Sequence, residues 1–205
     1  MNNYIQSYCR IRGEEVYVDG IPFALTAEQQ AGRFLTALYR TLQIDYPKFF
    51  KMDQLSKLGF LAAELLLRNE AERFTPHLDR AIICFNSSSS LDADRQFQAT
   101  IQEEENFFPS PSLFVYTLPN IVTAEIAIRN KIQGETAFYI AEQFDAEQIF
   151  RTTDNLLREG EMRSVLVGWV EVSLEKPEAF MLLVSTKGEE SKAFSAEKVE
   201  ELYRP

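Results

Sequence analysis

The run RAIICFN at residues 80–86 does most to limit what this chain can fold into. Its apolar residues follow one another almost without interruption, which suits a strand covered on both faces better than one with a wet side. A parallel sheet is implied. The stretches around it alternate in period. NYIQSYCRIR and EEVYVDG look like strands, the second ended by the turn signal of Asp19 and Gly20. TAEQQAGRFLTALYRTLQI has Thr26 as N-cap, Glu28 in the first turn, and Phe34, Leu35, Leu38, Tyr39 and Leu42 on one helical face. MDQLSKLGFLAAELLLRNEAE is a second, more apolar helix with Asp53 at its start. IVTAEIAIRNKI is amphipathic at helical spacing, ETAFYIA is a strand, and DAEQIFRTTDNLLREG is a helix stopped by Gly160. RSVLVGWVEV and AFMLLVST are strands, and SAEKVEELY is a closing helix capped by Ser195. The expectation is an α/β sandwich of helix, sheet and helix layers, forming one domain over residues 1–205 with no linker-like break.

Composition narrows the chemistry. Cys9 and Cys84 both sit in apolar strands, so they make neither a disulfide framework nor a metal-ligand cluster, and a reducing cytosol is expected. The single histidine, His77, removes most general-base and metal-site schemes. A formal charge of -10, with acids and bases interspersed, opposes attraction to nucleic acid or an anionic membrane. No apolar run approaches the roughly 20 residues that span a bilayer. The N-terminal MNNYIQSYCR has no basic start followed by an apolar signal core, so the chain is expected to stay where it is made.

Several motifs invite a functional reading. The serines at 87–90 lie between a strand and a helix, where backbone N–H groups can cradle an anion, but no glycine opens the loop, and a helix cap at Ser90 with Asp92 behind it is the plainer reading. Cys84 and Cys9 read as packing, and His77 as a hydrogen-bonded or exposed residue in a Pro-containing connector. Glu103, Glu104 and Glu105 are expected to end a helix and to be solvated or to face a basic partner. In ETAFYIAEQFDAEQIF a strand turns into a helix at Glu142, Gln143 and Phe144, at the carboxyl end of the sheet where α/β proteins place ligands. The geometry suits a nucleophile, yet none of these three side chains can form an acyl ester.

Over residues 46–171, roughly three fifths of the chain, the motifs resemble the N-terminal half of the β-ketoacyl-acyl-carrier-protein synthases of the thiolase-like superfamily. FFKMDQLSKLGFLAAELLL is similar to the family's helix that opens with an aromatic, a basic residue and Met-Asp. FFPSPSLFVYTLPNIVTAEIAIRNKIQGE carries the family's Ser-Pro, Leu-Pro-Asn, Ile-Arg and Gly turn at Ser110, Pro111, Leu118, Pro119, Asn120, Ile128, Arg129 and Gly134. Gly160, Gly168 and Glu171 hold the same register, and counting on from Gly134 the family's catalytic cysteine falls on Gln143.

The resemblance implies a thiolase-like sandwich, one truncated half of a ketosynthase around a mixed, mainly parallel five-stranded sheet. In relatives, glutamine at this position marks decarboxylating synthases or the chain-length-factor subunit that pairs with an active synthase. The family's glycine-rich loop is replaced here by Asn86 and the serines at 87–90, and its Gly-Pro turn by Gly134 and Glu135. Its two catalytic histidines and lysine come from a C-terminal half that has no counterpart here. The implied function is a non-catalytic accessory subunit in fatty-acid or polyketide-type synthesis. The alternatives are an acyltransferase or malonyl decarboxylase completed by a partner, and an acyl-chain binder with a pocket of Phe114, Phe138, Phe144 and Trp169. No metal or cofactor is implied. The implied partners are a second copy or a full-length ketosynthase, and an acyl carrier protein. The pairing edge would be residues 136–141, with Thr136, Ala137, Phe138, Tyr139 and Ile140 at its centre.

Overall fold

A computed structural model describes residues 2–25, 34–172, 177–189 and 192–204. The strands are β1 (Tyr4–Arg12), β2 (Glu15–Val18), β3 (Ile21–Pro22), β4 (Arg80–Asn86), β5 (Thr136–Ile140), β6 (Ser164–Val172) and β7 (Pro177–Ser185). The helices are α1 (Phe34–Thr41), α2 (Gln54–Leu67), α3 (Leu91–Gln98), α4 (Pro111–Val115), α5 (Ile121–Asn130), α6 (Ala146–Arg158) and α7 (Ala196–Tyr203). All seven strands join one sheet in the order β3-β2-β1-β7-β6-β4-β5.

The sheet therefore has seven strands, where five and mainly parallel were expected. Only β4 with β5 and β4 with β6 run parallel, and the other four pairings are antiparallel. Short connections explain three of these four, β1 with β2, β2 with β3 and β6 with β7, because a chain that turns back within a few residues can only pair antiparallel. Between β2 and β3 the backbone turns at Asp19 (φ 52) and Gly20 (φ 78), the paired positive angles that a tight hairpin needs. Just four residues, 173–176, separate β6 from β7.

The sandwich itself matches the expectation. Every residue of β4 is buried, as its sequence required. Ile82 and Cys84 face one core with Leu58, Leu61, Val122 and Ile126 of α2 and α5, while Ala81, Ile83 and Phe85 face the other with Ile149, Leu157 and Val199 of α6 and α7. The resemblance motifs acquire physical reasons here. A Cβ on Gly168 would meet the Phe180 carbonyl oxygen at 2.1 Å, so β6 can approach β7 only with glycine there. Gly160 adopts φ +87 just after α6, a left-handed stop.

Caps follow in part. Asp53 accepts from the Ser56 N–H at 2.9 Å and Ser195 from the Lys198 N–H at 3.2 Å. Thr26 and Glu28 lie outside the described residues. Ser90 stands before α3 but does not cap it, because its hydroxyl donates instead to the Thr117 carbonyl at 2.7 Å. Nor do Glu103, Glu104 and Glu105 end a helix: α3 stops at Gln98, and the acids lie in and beside a short 3₁₀ turn, Glu104–Asn106. Among the described residues no helix is long and apolar enough to cross a membrane.

Candidate functional site

Because β4, β5 and β6 run parallel, their carboxyl ends gather three segments: Asn86 with the serines, the stretch 141–145, and Glu171. The serine loop is held from within. Ser87 donates to Glu171 Oε2 from its backbone N–H at 2.8 Å and from its hydroxyl at 2.6 Å. Ser88 donates from its N–H to Oε2 at 3.2 Å and from its hydroxyl to Oε1. Asn86 closes the turn, taking the Ser89 N–H at 3.0 Å and giving its amide to the Ser89 carbonyl at 2.8 Å. Burial pushes the Glu171 carboxyl up, but the serine donors together outweigh it and hold the group below its ordinary range. The cradle that the sequence offered to an external anion is thus filled by a carboxylate of the same chain. Sequence reasoning missed this pair because Ser87 and Glu171 lie 84 residues apart. The only signal was Glu171 keeping the register of the resemblance.

The junction after β5 is looser than a sharp elbow. The backbone bends at Glu142 and Gln143, and α6 begins only at Ala146, capped by Asp145, which accepts from the Gln148 N–H at 3.0 Å. Gln143 is exposed. Phe144 turns inward and stacks on Tyr203 of α7, with ring centroids 3.5 Å apart, and meets Trp169 edge-on at 6.2 Å and Phe180 at 5.9 Å. Arg12 fixes Tyr203 from behind: it donates to the Tyr203 carbonyl at 2.8 Å and lies over the ring, while the Tyr203 hydroxyl donates to Glu178 at 3.2 Å.

An open groove of about 770 Å³ runs between the start of α6 and α7, with Gln143 and Phe144 at one side. Asp145, Glu147, Glu197 and Glu200 line it together with Arg204; Glu200 is paired with Arg204 at 2.6 Å and Glu147 with Arg151 at 2.5 Å, which leaves the lining net acidic through Asp145 and Glu197. The α6 N-terminus carries its own anionic cap and first-turn acid, so its dipole is already answered. A carboxylate or phosphate of a substrate would enter against negative charge.

The four aromatics expected to line an acyl pocket do not share one. Phe144 and Trp169 meet in the α6/α7 core, Phe138 packs on the α2/α5 side of the sheet, and Phe114 is exposed beside Phe97 at 5.4 Å. His77 lies at the other end of the parallel strands, ahead of β4, with its backbone bonded to Lys131 and Gln133 and its Nε2 3.1 Å from the Arg73 carbonyl oxygen. A strand rises about 3.3 Å per residue, so β4 alone keeps His77 some 20 Å from the bend at Gln143. Burial pushes both Cys9 and Cys84 up to about 12, which leaves them un-ionised and inert at neutral pH. Among the described residues no group of three His, Cys, Asp or Glu could hold a metal ion.

No family model matches the chain, and no curated protein matches it. Solved structures do. The chain is similar to the ishigamide ketosynthase/chain length factor with a TM-score of 0.66 and 15% identity, over 93% of this chain and 64% of that one. It is similar to a chain of the ketosynthase ApeO in complex with its chain length factor ApeC from Xenorhabdus doucetiae, with a TM-score of 0.62 and 15% identity, over 99% of this chain and 90% of that one. A third is AntDE:AntF, a type II PKS acyl-carrier protein in complex with its ketosynthase bound to the hexaketide, with a TM-score of 0.57 and 12% identity, over 90% of this chain and 62% of that one. The chain spans less than two thirds of the first and third of these. Its fold is the thiolase-like fold of the ketosynthases and chain length factors.

Proposed function

We propose that this chain is a non-catalytic, ketosynthase-like accessory subunit, of the chain-length-factor kind, that pairs through β5 with a full-length ketosynthase in fatty-acid or polyketide-type synthesis. The observation that carries the reading is the contrast between the two edges of the sheet. The β3 edge is two residues long and contains Pro22, which cannot donate to a further strand. The β5 edge is five residues of TAFYI, with Tyr139 and Ile140 exposed. The Ile82 N–H donates to the Glu135 carbonyl and the Ala141 N–H to the Asn86 carbonyl, so the odd-numbered residues face β4. The N–H and C=O groups of Thr136, Phe138 and Ile140 therefore point outward, in register for another strand. Gln143 stands in this reading where a ketosynthase keeps its nucleophile, and its neutral amide, the acidic groove and the distance of His77 all oppose acyl transfer by the chain alone. The complexes named above supply the analogy for the partner, with an acyl carrier protein as a further one.

Ile140→Pro tests the pairing, because it removes only an outward-facing donor at an edge where proline is tolerated. Wild-type chain is expected to co-purify with a β-ketoacyl synthase from extracts of its host, identified by mass spectrometry, and Ile140→Pro to lose it. Incubation with malonyl-carrier protein is expected to leave the isolated chain unmodified. Acylation of the chain or release of carbon dioxide would overturn the non-catalytic reading.

A further inference from the structure

Beside the open edge lies a cleft of about 310 Å³ between β5 and α6. Its floor is apolar, made by Ile83, Ala137 and Leu156, and the Tyr139 ring, stacked on Phe85 with centroids 5.1 Å apart, forms one wall. Glu135 and Glu159 bring two exposed carboxylates to it. The neighbouring cations are engaged already, Arg158 with Asp154 at 2.7 Å and Arg151 with Glu147 at 2.5 Å. Neither Glu135 nor Glu159 has an ion pair among the described residues.

A strand added to β5 would run about 4.8 Å away and present alternate side chains to the α6 face. The residue opposite Ala137, the smallest side chain on that face, hangs over the cleft. An apolar floor with two carboxylates beside it fits an apolar stem carrying a cationic head. A second copy of this chain does not supply one. The outward groups of Thr136, Phe138 and Ile140 centre a symmetric antiparallel pairing on Phe138, which sets Tyr139 opposite Ala137 and Ala141 opposite Glu135, so the strand of a second copy brings no cation to the cleft.

We infer that the strand pairing with β5 belongs to a different chain and carries a lysine or arginine opposite Ala137, its head group between Glu135 and Glu159. The inference rests on the pairing role of β5 proposed above and adds the chemistry by which the partner is selected.

The test uses this chain as its own surrogate partner. Tyr139→Lys places an ammonium group opposite Ala137 in the symmetric pair, and Tyr139→Met is the uncharged control. Sedimentation velocity at low salt should show Tyr139→Lys dimerising at least about tenfold more tightly than wild type or Tyr139→Met. The gain should vanish in high salt and in Tyr139→Lys combined with Glu135→Gln and Glu159→Gln. Equal dimerisation of Tyr139→Lys and Tyr139→Met, or a gain that survives the two Gln substitutions, overturns the cleft inference. Adding Ile140→Pro separates the two readings: a Tyr139→Lys dimer that persists with it overturns pairing through β5 itself, whereas one that Ile140→Pro dissolves leaves β5 pairing intact whatever the cleft does.

Discussion

Replacing Glu171 by glutamine removes one charge from the serine clamp and little else. Four donors converge on this carboxylate, two of them backbone N–H groups that cannot rotate away and two of them hydroxyls that can. Charge-assisted hydrogen bonds are about twice as strong as neutral ones, and a neutral bond contributes about 1 kcal/mol net. Glutamine keeps an acceptor for the amides but aims an NH₂ at the hydroxyls, so the expected loss is about 2 kcal/mol. In a chain of this length that is a fall in Tm of about 6 °C. Trp169, the sole tryptophan, is buried two residues away and reports unfolding by urea without a label. The pH dependence has a definite sign. The folded carboxyl is held below the ordinary glutamate range, so its contribution is complete above that range and drains away as pH falls through the folded pKa. Wild type and Glu171→Gln should therefore differ at neutral pH and converge in acid, where the native side chain is protonated. A gap below roughly 0.5 kcal/mol at neutral pH, or one of constant size into acid, would refute the clamp as an electrostatic device.

Two further substitutions probe the junction and the sheet. Gln143→Cys puts a thiol on an exposed bend among Glu142 and Asp145, which disfavour a thiolate, so iodoacetamide should label that position no faster than free cysteine while Cys9 and Cys84 stay unlabelled; mass spectrometry of the digest decides, and a rate about tenfold above free cysteine would mean that a nucleophile-activating elbow survives. Gly168→Ala forces a Cβ to within 2.1 Å of the Phe180 carbonyl oxygen and should cost at least about 3 kcal/mol by urea titration, since the β6/β7 ladder must part to admit it; a loss near zero would show that the two strands are not so closely apposed.

The layers were legible because burial leaves a periodic mark. β4 has no polar face in sequence and none in the structure, α6 shows the spacing of a helix buried along one side, and the more apolar α2 is buried nearly all round. Strand direction was less legible. An apolar strand between two neighbours is continuous whether those neighbours run parallel or not, and β6, buried at all but its two ends, and β7, with no exposed residue, pair antiparallel. The information lay in the connections: four residues at 173–176 exclude a crossover, and Gly13 with Glu14 leaves β1 no choice but a hairpin into β2. Those short turns by themselves oppose a mainly parallel sheet.

The site was legible only as a position. Residue spacing located Gln143 at the end of β5, but what surrounds it comes from segments with no local signature of contact. Tyr203, at the end of a helix that reads simply as amphipathic, is the residue that stacks on Phe144, and Arg12 from the first strand holds it there. Both serve to close the α6/α7 core. The serine loop shows the same logic, since its donors point where an anion would bind and are consumed by Glu171. At this end of the sheet, polar and aromatic groups that resemble site components satisfy one another, and the acidic groove between α6 and α7 is what they leave to solvent. At the β5 edge the opposite holds: the outward backbone groups of Thr136, Phe138 and Ile140 have no partner strand within the sheet, and the Glu135 and Glu159 carboxylates have no ion pair among the described residues. Unmet hydrogen bonds and unmet charge are where binding free energy is available, which is the physical ground for placing the proposed pairing at the edge strand and not at the bend at Gln143.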